Sequence, residues 1–363
     1  MAKGKKTSKN GDEQAVAKSA GDGQATSLRD LAAYVGLSPT ALSLVLNDAP
    51  ASKSIPQETK NRIWAAAAKF NYRPNYFARS LRAQRSFTLG VLVPELSEGY
   101  SAMVLSGVEE VLLREGFFYF LASHRHRDKL IVEYQHLFAE RRVEGIIAVD
   151  TPYHPCVTLP VVTVSGHENR DGITNIVLNH KRAAELALDH LSKLGHRRIA
   201  FIKGQEFSSD TNVRWQSIQA AAMERGLKIL PSLVVQLEGD MPSPELGYVA
   251  TRKILAKSDK FTALFAFNDI SAIGAIRALH EAGRHVPTDV SVFGFDDIYA
   301  AAFHIPALTT IRQPLFEMGR LAAQTLLQKI TETNSESRAA NEFLPEISIE
   351  PELVVRNSTG EAK

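Results

Sequence analysis

The 363 residues and 39.9 kDa exceed one ordinary domain and suit two or three. With 44% hydrophobic and 23% charged residues the chain is neither disordered throughout nor fibrous. No window approaches the roughly 18 uninterrupted apolar residues of a membrane span. Cys156 is the single cysteine, which excludes an intrachain disulfide and a thiolate zinc cage. The basic start Met1-Ala-Lys-Gly-Lys-Lys is not followed by an apolar run before Ser27, so no secretory signal is read and a reducing cytosol is expected.

The net charge of +2 hides an asymmetry. Residues 1–86 hold 14 Lys+Arg and 6 Asp+Glu, a net of +8, whereas the remainder holds 28 basic and 34 acidic residues, a net of −6. A small basic head on an acidic body points to a polyanion as the partner of the head. A Gly/Ser/Lys-rich stretch accounts for Lys3, Lys5, Lys6 and Lys9, and residues 1–26 are expected to be a disordered basic tail. From Lys53 to Arg85, however, eight basic residues face one acid, Glu58, in a segment with apolar patterning.

Ser27-Leu28-Arg29-Asp30 reads as a helix cap with an acid three residues on. Leu28, Leu31, Ala32 and Val35 then follow helical spacing, and Gly36 ends the helix. Ser38 caps a second helix with Pro39 at its first position, running to about Asn47 with Leu42, Val45 and Leu46 inward. Two short helices about a tight glycine turn form the helix-turn-helix pattern, whose second helix is sized for a DNA major groove. A third helix is expected from Pro56 to about Phe70, burying Ile63, Ala66, Ala67 and Phe70. Asn71-Tyr72-Arg73-Pro74-Asn75 is a stop signal. The stretch Tyr76–Ala83 after it favours helix but is too short to be stable alone. Spacing allows it two roles. Arg79 and Arg82 can hold phosphates while Leu81 pries open a base step, or the segment is a plain linker helix with Leu81 packed on a neighbour.

Beyond Phe87 the pattern changes to strands alternating with helices. Strands are expected at Phe87–Val93, Phe117–Ala122, Val143–Val149, Val161–Ser165, Arg198–Ile202, Leu233–Leu237, Ala263–Phe267 and Ser291–Phe295. Helices are expected around Val104–Leu112 and at Ile131–Arg141, His180–Leu194, Arg214–Arg225, Leu246–Ala256 and Ile270–Ala282, with Thr331–Asn341 a loop before a final strand. This predicts doubly wound parallel sheets in two lobes, with ligands beyond the carboxyl ends of the strands. The residues there are polar: Ser97-Glu98-Gly99-Tyr100, Ser123-His124, Asp150, Ser165-Gly166-His167, Asn268-Asp269 and Asp296-Asp297. Such groups suit hydrogen bonding to a small polyhydroxylated or otherwise polar ligand.

Leu28–Asn47, Glu58-Thr59, Asn71–Asn75 and Ala78-Arg79-Ser80-Leu81 resemble the head and hinge of the lactose-repressor/galactose-repressor family of bacterial transcription regulators. Leu194–Ile202, Phe267-Asn268-Asp269, Val292–Asp297, Pro306–Pro314 and Glu352–Arg356 resemble its effector-binding core, itself similar to periplasmic sugar-binding proteins. The likeness spans Ser27 to Thr359. It implies a helix-turn-helix domain at 27–73, a hinge helix at 74–86 and a two-lobed core for effector binding and dimerisation at 87–359. It implies DNA contacts by Ser27, Ser38, Pro39, Thr40, Ser43, Leu44, Asn47, Tyr72, Asn75, Ala78, Arg79, Leu81 and Arg82. It implies effector contacts by Tyr100, Asp150, Ser165, Arg214, Asn268, Asp296 and Gln313, with Arg214 at the start of its helix. The implied partners are a pseudo-palindromic duplex, a carbohydrate or related metabolite and a second copy of the chain, without membrane or cofactor.

Departures qualify the resemblance. Ser165 stands where sugar-binding members often carry Asp, and Met241 where relatives often place a stacking aromatic. Leu44 replaces a frequent arginine, which shifts base reading to Pro39, Thr40 and Ser43 with apolar contact from Leu44. Taken singly, Asp296 can cap a helix, Asn268 can be a turn residue and Arg214 can be a surface ion-pair partner. Catalytic motifs such as G-x-S-x-G, H-E-x-x-H and the P-loop are absent. His124, His126, Glu133 and His136 read as a post-strand basic loop before a metal site, and Cys156 as an inert thiol. The competing readings are a solute-binding protein without a regulatory DNA target and an α/β enzyme.

Overall fold

The computed structural model describes residues 27–47, 49–72, 85–96, 99–167, 170–239, 243–257, 260–334 and 344–363. They divide into two units at Arg85/Ser86. The expected tail and residues 74–84 of the expected hinge, including Asn75, Ala78, Arg79, Leu81 and Arg82, lie outside the described residues, as do Ser97, Glu98 and Met241; Arg85 and Ser86, at the end of the expected hinge helix, are not helical.

In the first unit, helix α1 (Leu28–Val35) opens with a capping box. The Ser27 hydroxyl accepts from the Asp30 N–H at 3.2 Å, and the Ser27 N–H donates to the Asp30 carboxylate at 3.0 Å. Gly36 ends the helix at φ 71°, a conformation that costs glycine little. Helix α2 (Pro39–Leu46) is capped by the Ser38 hydroxyl, which accepts from the Ala41 N–H at 3.1 Å. A 3-10 turn at Pro50–Ser54 leads to α3 (Gln57–Lys69). Leu31, Ala32, Val35, Leu42, Val45, Leu46, Ile63, Ala66 and Ala67 form one buried core, with Leu28, Phe70 and Tyr72 packed on it. No two of these helices bury enough apolar surface alone, which is why the third is required.

The second unit holds strands β1 (Thr88–Val93), β2 (Phe118–Ser123), β3 (Ile146–Val149), β4 (Val161–Val164) and β5 (Ile173–Leu178), then β6 (Ile199–Lys203), β7 (Val234–Gln236), β8 (Ala263–Phe265), β9 (Ser291–Asp296) and β10 (Thr309–Arg312), and finally β11 (Glu346–Ile349) and β12 (Glu352–Val354). They form two six-stranded sheets, ordered β11-β5-β4-β3-β1-β2 and β12-β10-β9-β8-β6-β7. Every pairing is parallel except that of β12 with β10. Between strands lie α4 (Tyr100–Arg114), α5 (Asp128–Glu140), α6 (His180–Lys193), α7 (Ser209–Glu224), α8 (Pro244–Lys257), α9 (Asp269–Glu281), α10 (Tyr299–Phe303) and α11 (Leu315–Asn334). The chain passes between the lobes three times: after β5, after β10 and after β11.

The sequence pattern did not single out β5, β10 or α11. The expected loop at Thr331–Asn341 is a misreading at its start, because α11 continues through Asn334. Thr331 follows helical spacing there and its hydroxyl turns back to the Leu327 carbonyl, so polarity alone did not mark a helix end. At the other terminus, the Ala362 N–H donates to the Leu194 carbonyl, so ordered chain continues past Thr359.

One packing device recurs in both lobes. Helices α4 and α11 approach so closely that a Cβ at Gly107 would overlap the Phe316 carbonyl, and one at Gly319 the Val104 carbonyl. In the second lobe, Gly247 and Gly274 set α8 against α9 in the same way. Gly107→Ala is therefore expected to destabilise the core by about 2–3 kcal/mol, measured by denaturant unfolding, because backbone rather than a flexible side chain must move. An unchanged midpoint would show that the helices separate at no cost.

Candidate functional site

The predicted DNA-reading face can be located on the first unit alone. Pro39, Thr40 and Asn47 are exposed along α2, with Ser43 and Leu44 half-buried beside them. Asn47 turns its amide back onto the Ser43 carbonyl at 2.7 Å. Ser27 and Ser38 serve as helix caps, and the Tyr72 ring packs onto the core. Two of the basic residues counted above have internal work. Arg62 donates to the Val35 carbonyl at the end of α1 (3.0 Å), and Lys69 donates to the Tyr34 hydroxyl (2.9 Å). They clamp α3 against α1 through neutral acceptors, while both side chains stay exposed.

In the second unit, the polar strand ends converge between the lobes. The Tyr100 hydroxyl at the start of α4 lies 2.5 Å from the Ser165 hydroxyl. Asp150, just past β3, accepts from the N–H (2.9 Å) and hydroxyl (2.6 Å) of Ser209, the first residue of α7. That hydroxyl also contacts the Ser165 carbonyl, so one serine of the second lobe touches two strand ends of the first. Asp150, Ser165 and Asp296 all adopt positive φ, 39°, 57° and 106°, which side-chain-bearing residues do at a cost and mostly at functional sites.

Arg214 is buried and belongs to this cluster rather than to the surface. It donates to Asp210 at 2.9 Å, one helical turn earlier, and to the Phe267 carbonyl at 2.6 Å. Its guanidinium carbon sits 3.7 Å from the Phe295 ring centroid and 4.4 Å from that of Phe267, a cation–π sandwich. The expectation that Arg214 opens its helix was wrong: α7 begins at Ser209. Ser208-Ser209-Asp210 is a cap-like run, and the spacing from Asp210 to Arg214 is that of an ion pair on one helix face. Read together, these signals would have found Asp210.

Asp210 is the hub that sequence reading missed. Its Oδ1 faces His167 Nε2 at 2.7 Å and His180 Nε2 at 3.2 Å, and its Oδ2 takes Arg214. Burial raises its pKa, but the two imidazoles and Arg214 outweigh burial and hold it well below the usual carboxylate range. The other carboxylates go the other way. Burial pushes Asp150 up to about 6, aided by the charge of Asp210 and opposed by Ser209. Burial pushes Asp296 up to about 7, against Arg214 and the hydrogen bond that Gln313 Nε2 donates at 2.6 Å. Arg214 Nε and Gln313 Oε1 are buried without a hydrogen-bond partner, as expected of a polar site that a ligand completes.

Three neighbours do different work. The Asn268 side chain caps α9, accepting from the Ser271 N–H at 2.9 Å. Asp269 is fully buried and accepts from the Ile298 N–H and the Thr310 hydroxyl. Asp297 is held by Arg312 and Arg356, away from Asp296. His126 pairs with Glu95 at 3.2 Å while His124 contacts the Thr151 hydroxyl at 3.0 Å, and these two do not join Glu133 and His136 in a metal cluster among the described residues. Cys156 Sγ lies 3.3 Å from Gln135 Oε1.

A helix-turn-helix head followed by a two-lobed core with a buried polar cleft defines a DNA-binding protein that senses a small molecule. Comparison with known proteins agrees. Residues 27–75 match the bacterial regulatory proteins of the lacI family, and residues 188–359 match a periplasmic binding protein-like domain. The chain is 32% identical over 340 residues to the HTH-type transcriptional repressor PurR of Haemophilus influenzae (strain PittEE), covering 91% of this chain and 98% of that one. It is 33% identical over 341 residues to the repressor PurR of Pasteurella multocida (strain Pm70), with the same coverage. Among solved structures, the lac repressor dimer bound to operator and the anti-inducer ONPF superposes with a TM-score of 0.78 at 25% identity, covering 92% of this chain and 99% of that one. The complex of the transcriptional regulator CelR with cellobiose gives 0.64 at 26% identity, with the same coverage. The chain belongs to the lacI family of bacterial regulatory proteins and is a DNA-binding transcription regulator with an effector-binding core.

The pH dependence of stability follows from Asp296. Its pKa of about 7 in the folded chain exceeds the roughly 3.9 of an unfolded aspartate. Folding therefore favours the protonated form, and the stability this contributes is present at acid pH and lost as pH rises through about 7. Asp296→Asn is expected to stabilise the chain at pH 8 by up to about 4 kcal/mol, the gain vanishing towards pH 4. Parallel urea titrations at the two pH values check it, and an equal effect at both would contradict it.

Proposed function

We propose that this regulator is a repressor that binds a pseudo-palindromic operator as a homodimer and changes its operator affinity when a small polar metabolite, of carbohydrate or related chemistry, enters the cleft lined by Tyr100, Asp150, Ser165, Arg214, Asp296 and Gln313. The observation that carries the reading is the convergence of these side chains from both lobes, with buried donor and acceptor positions left open at Arg214 and Gln313, in a chain that also has a helix-turn-helix head. Relatives named as repressors, and a relative solved as a dimer on its operator, support repression and dimerisation. The edge strand β2 supports the second copy, since Phe118, Phe120 and Leu121 are exposed along it. Asn268, engaged as a helix cap, contributes to the ligand only if its amide group donates outward while its oxygen holds α9.

On the DNA side, we assign base reading to the α2 face of Pro39, Thr40, Ser43 and Leu44, and minor-groove insertion to Leu81 with Arg79 and Arg82 on phosphates. Tyr72, Asn75 and Ala78 are assigned to the backbone contacts around it. A cytosolic place of action and the absence of catalysis belong to the same reading. The basic head is what disfavours a solute-binding protein without a DNA target.

Two measurements test this. In gel shifts with DNA from the chain's own upstream region, Asp296→Asn should retain operator binding and lose release or enhancement by any metabolite that moves the wild type; a retained response removes Asp296 from the site. Asp296 is preferred to Arg214 here because removing Arg214 would also leave Asp210 without its buried cation. Leu81→Ala should weaken specific binding by about 1–3 kcal/mol while sparing non-specific DNA, in salt-controlled titrations. An equal loss on both would overturn the wedge.

A further inference from the structure

The cleft holds a second arrangement that hydrogen bonding to a sugar-like ligand does not use. His167 lies on the loop after β4 in the first lobe, His180 opens α6 where the chain enters the second lobe, and Asp210 sits in the first turn of α7. Both imidazoles turn the same nitrogen, Nε2, towards the same oxygen, Asp210 Oδ1, and the three atoms lie within 4.8 Å of one another. The side chains of His180 and Asp210 are 2% and 5% exposed, and that of His167 17%.

We propose that His167, His180 and Asp210 form a site for a divalent transition-metal ion of the zinc class. The inference concerns the same cleft as the proposed effector site but does not depend on that reading. Tetrahedral bonds of about 2.0–2.1 Å place ligand atoms about 3.3 Å apart. The observed 2.7 and 3.2 Å, with all three atoms within 4.8 Å of one another, bracket that spacing. Two imidazoles with one carboxylate suit zinc, cobalt or nickel and not magnesium or calcium, which take oxygen ligands. Three protein ligands leave one position for water or for a donor atom of the effector.

The surroundings favour a cation. Asp150, Asp210 and Asp296 approach one another in the cleft, and Arg214 is the guanidinium that answers them. Arg214 answers Asp210, so each of Asp150 and Asp296 that ionises adds a negative charge that a divalent ion can offset. Asp210 also divides its oxygens: Oδ2 is held by Arg214 and Oδ1 is left to the imidazoles, so the guanidinium orients the carboxylate as an outer-shell partner does. On binding, a neutral imidazole frees Nε2 by carrying its single proton on Nδ1, and a ring that was protonated releases one proton to solvent as the metal bond forms. Since His167 comes from one lobe and Asp210 from the other, the ion would tie the lobes together.

The test uses the full chain, free of any affinity tag and stripped with chelator. Titration with Co2+ should give visible d–d absorption saturating at one equivalent, displaced by Zn2+ and unaffected by Mg2+. His167→Gln and His180→Gln should each weaken binding more than tenfold, while His280→Gln, remote on α9, should not. His167 is on a loop, so its variant carries the test even if His180→Gln fails to fold by circular dichroism. No saturable Co2+ signal, or wild-type affinity in His167→Gln, overturns the site. A chain that fails this test yet still responds to a metabolite on its operator loses the metal site and keeps the effector reading. A chain that binds Co2+ while no metabolite moves its operator affinity keeps the metal site and loses that reading.

Discussion

A carboxylate almost sealed from water must be answered by donors and cations, and Asp210 is where the cleft meets that demand. Arg214 reaches it from the next turn of the same helix, so the pair is set by helical spacing and needs no rearrangement to form. With the guanidinium fixed on Asp210 and the Phe267 carbonyl and pressed between two phenylalanine rings, the remaining carboxylates are poorly compensated. Burial raises both: Asp150 has only neutral donors from Ser208 and Ser209, and Asp296 has Gln313 and a shared view of Arg214, so both titrate far above an ordinary aspartate. The cleft is thus polarised before any ligand arrives: one carboxylate is held ionised, and two change charge at about pH 6 and 7.

How much of this was readable from the chain depends on how locally each feature is encoded. The head was legible almost residue by residue, because caps, a turn glycine and helical spacing all lie within a few positions of one another, and Leu31, Leu42 and Ile63 duly form its core. The two-lobed architecture was legible from the alternation of patterns, although β5, β10 and α11 were not singled out. Tyr100, Ser165, Asp150, Arg214, Asp296 and Gln313 do meet in one cleft, but the resemblance placed them there; periodicity only said that polar groups follow strands. Asp210 escaped because the start of α7 was set five residues late, and its partnership with His167 and His180 because contacts 43 and 30 positions apart leave no trace in spacing.

Charge counting misled in an instructive way. The basic surplus of residues 1–86 pointed to a nucleic acid partner, and the family assignment agrees. Yet Arg62 and Lys69, though exposed, also hold the head together through the Val35 carbonyl and the Tyr34 hydroxyl. The exposed face of α2 is neutral, with Pro39, Thr40 and Asn47 outermost. If this face reads bases, as proposed above, it offers hydroxyl and apolar contacts rather than guanidinium forks. The sum of charges identifies a partner class; it does not say which side chains also have a structural task.

The three passages of the chain between the lobes have a consequence for how this molecule can be divided. The first sheet draws on 88–178 and again on 346–349, with α11 packed beneath it, while the second draws on 199–312 and 352–354. No single cut in the gene therefore yields an intact half: any fragment ending near Leu178 lacks the edge strand and the helix that cover its own sheet. Neither lobe is a portable module, and a fusion that borrows this sensor must transplant both halves as one continuous insert.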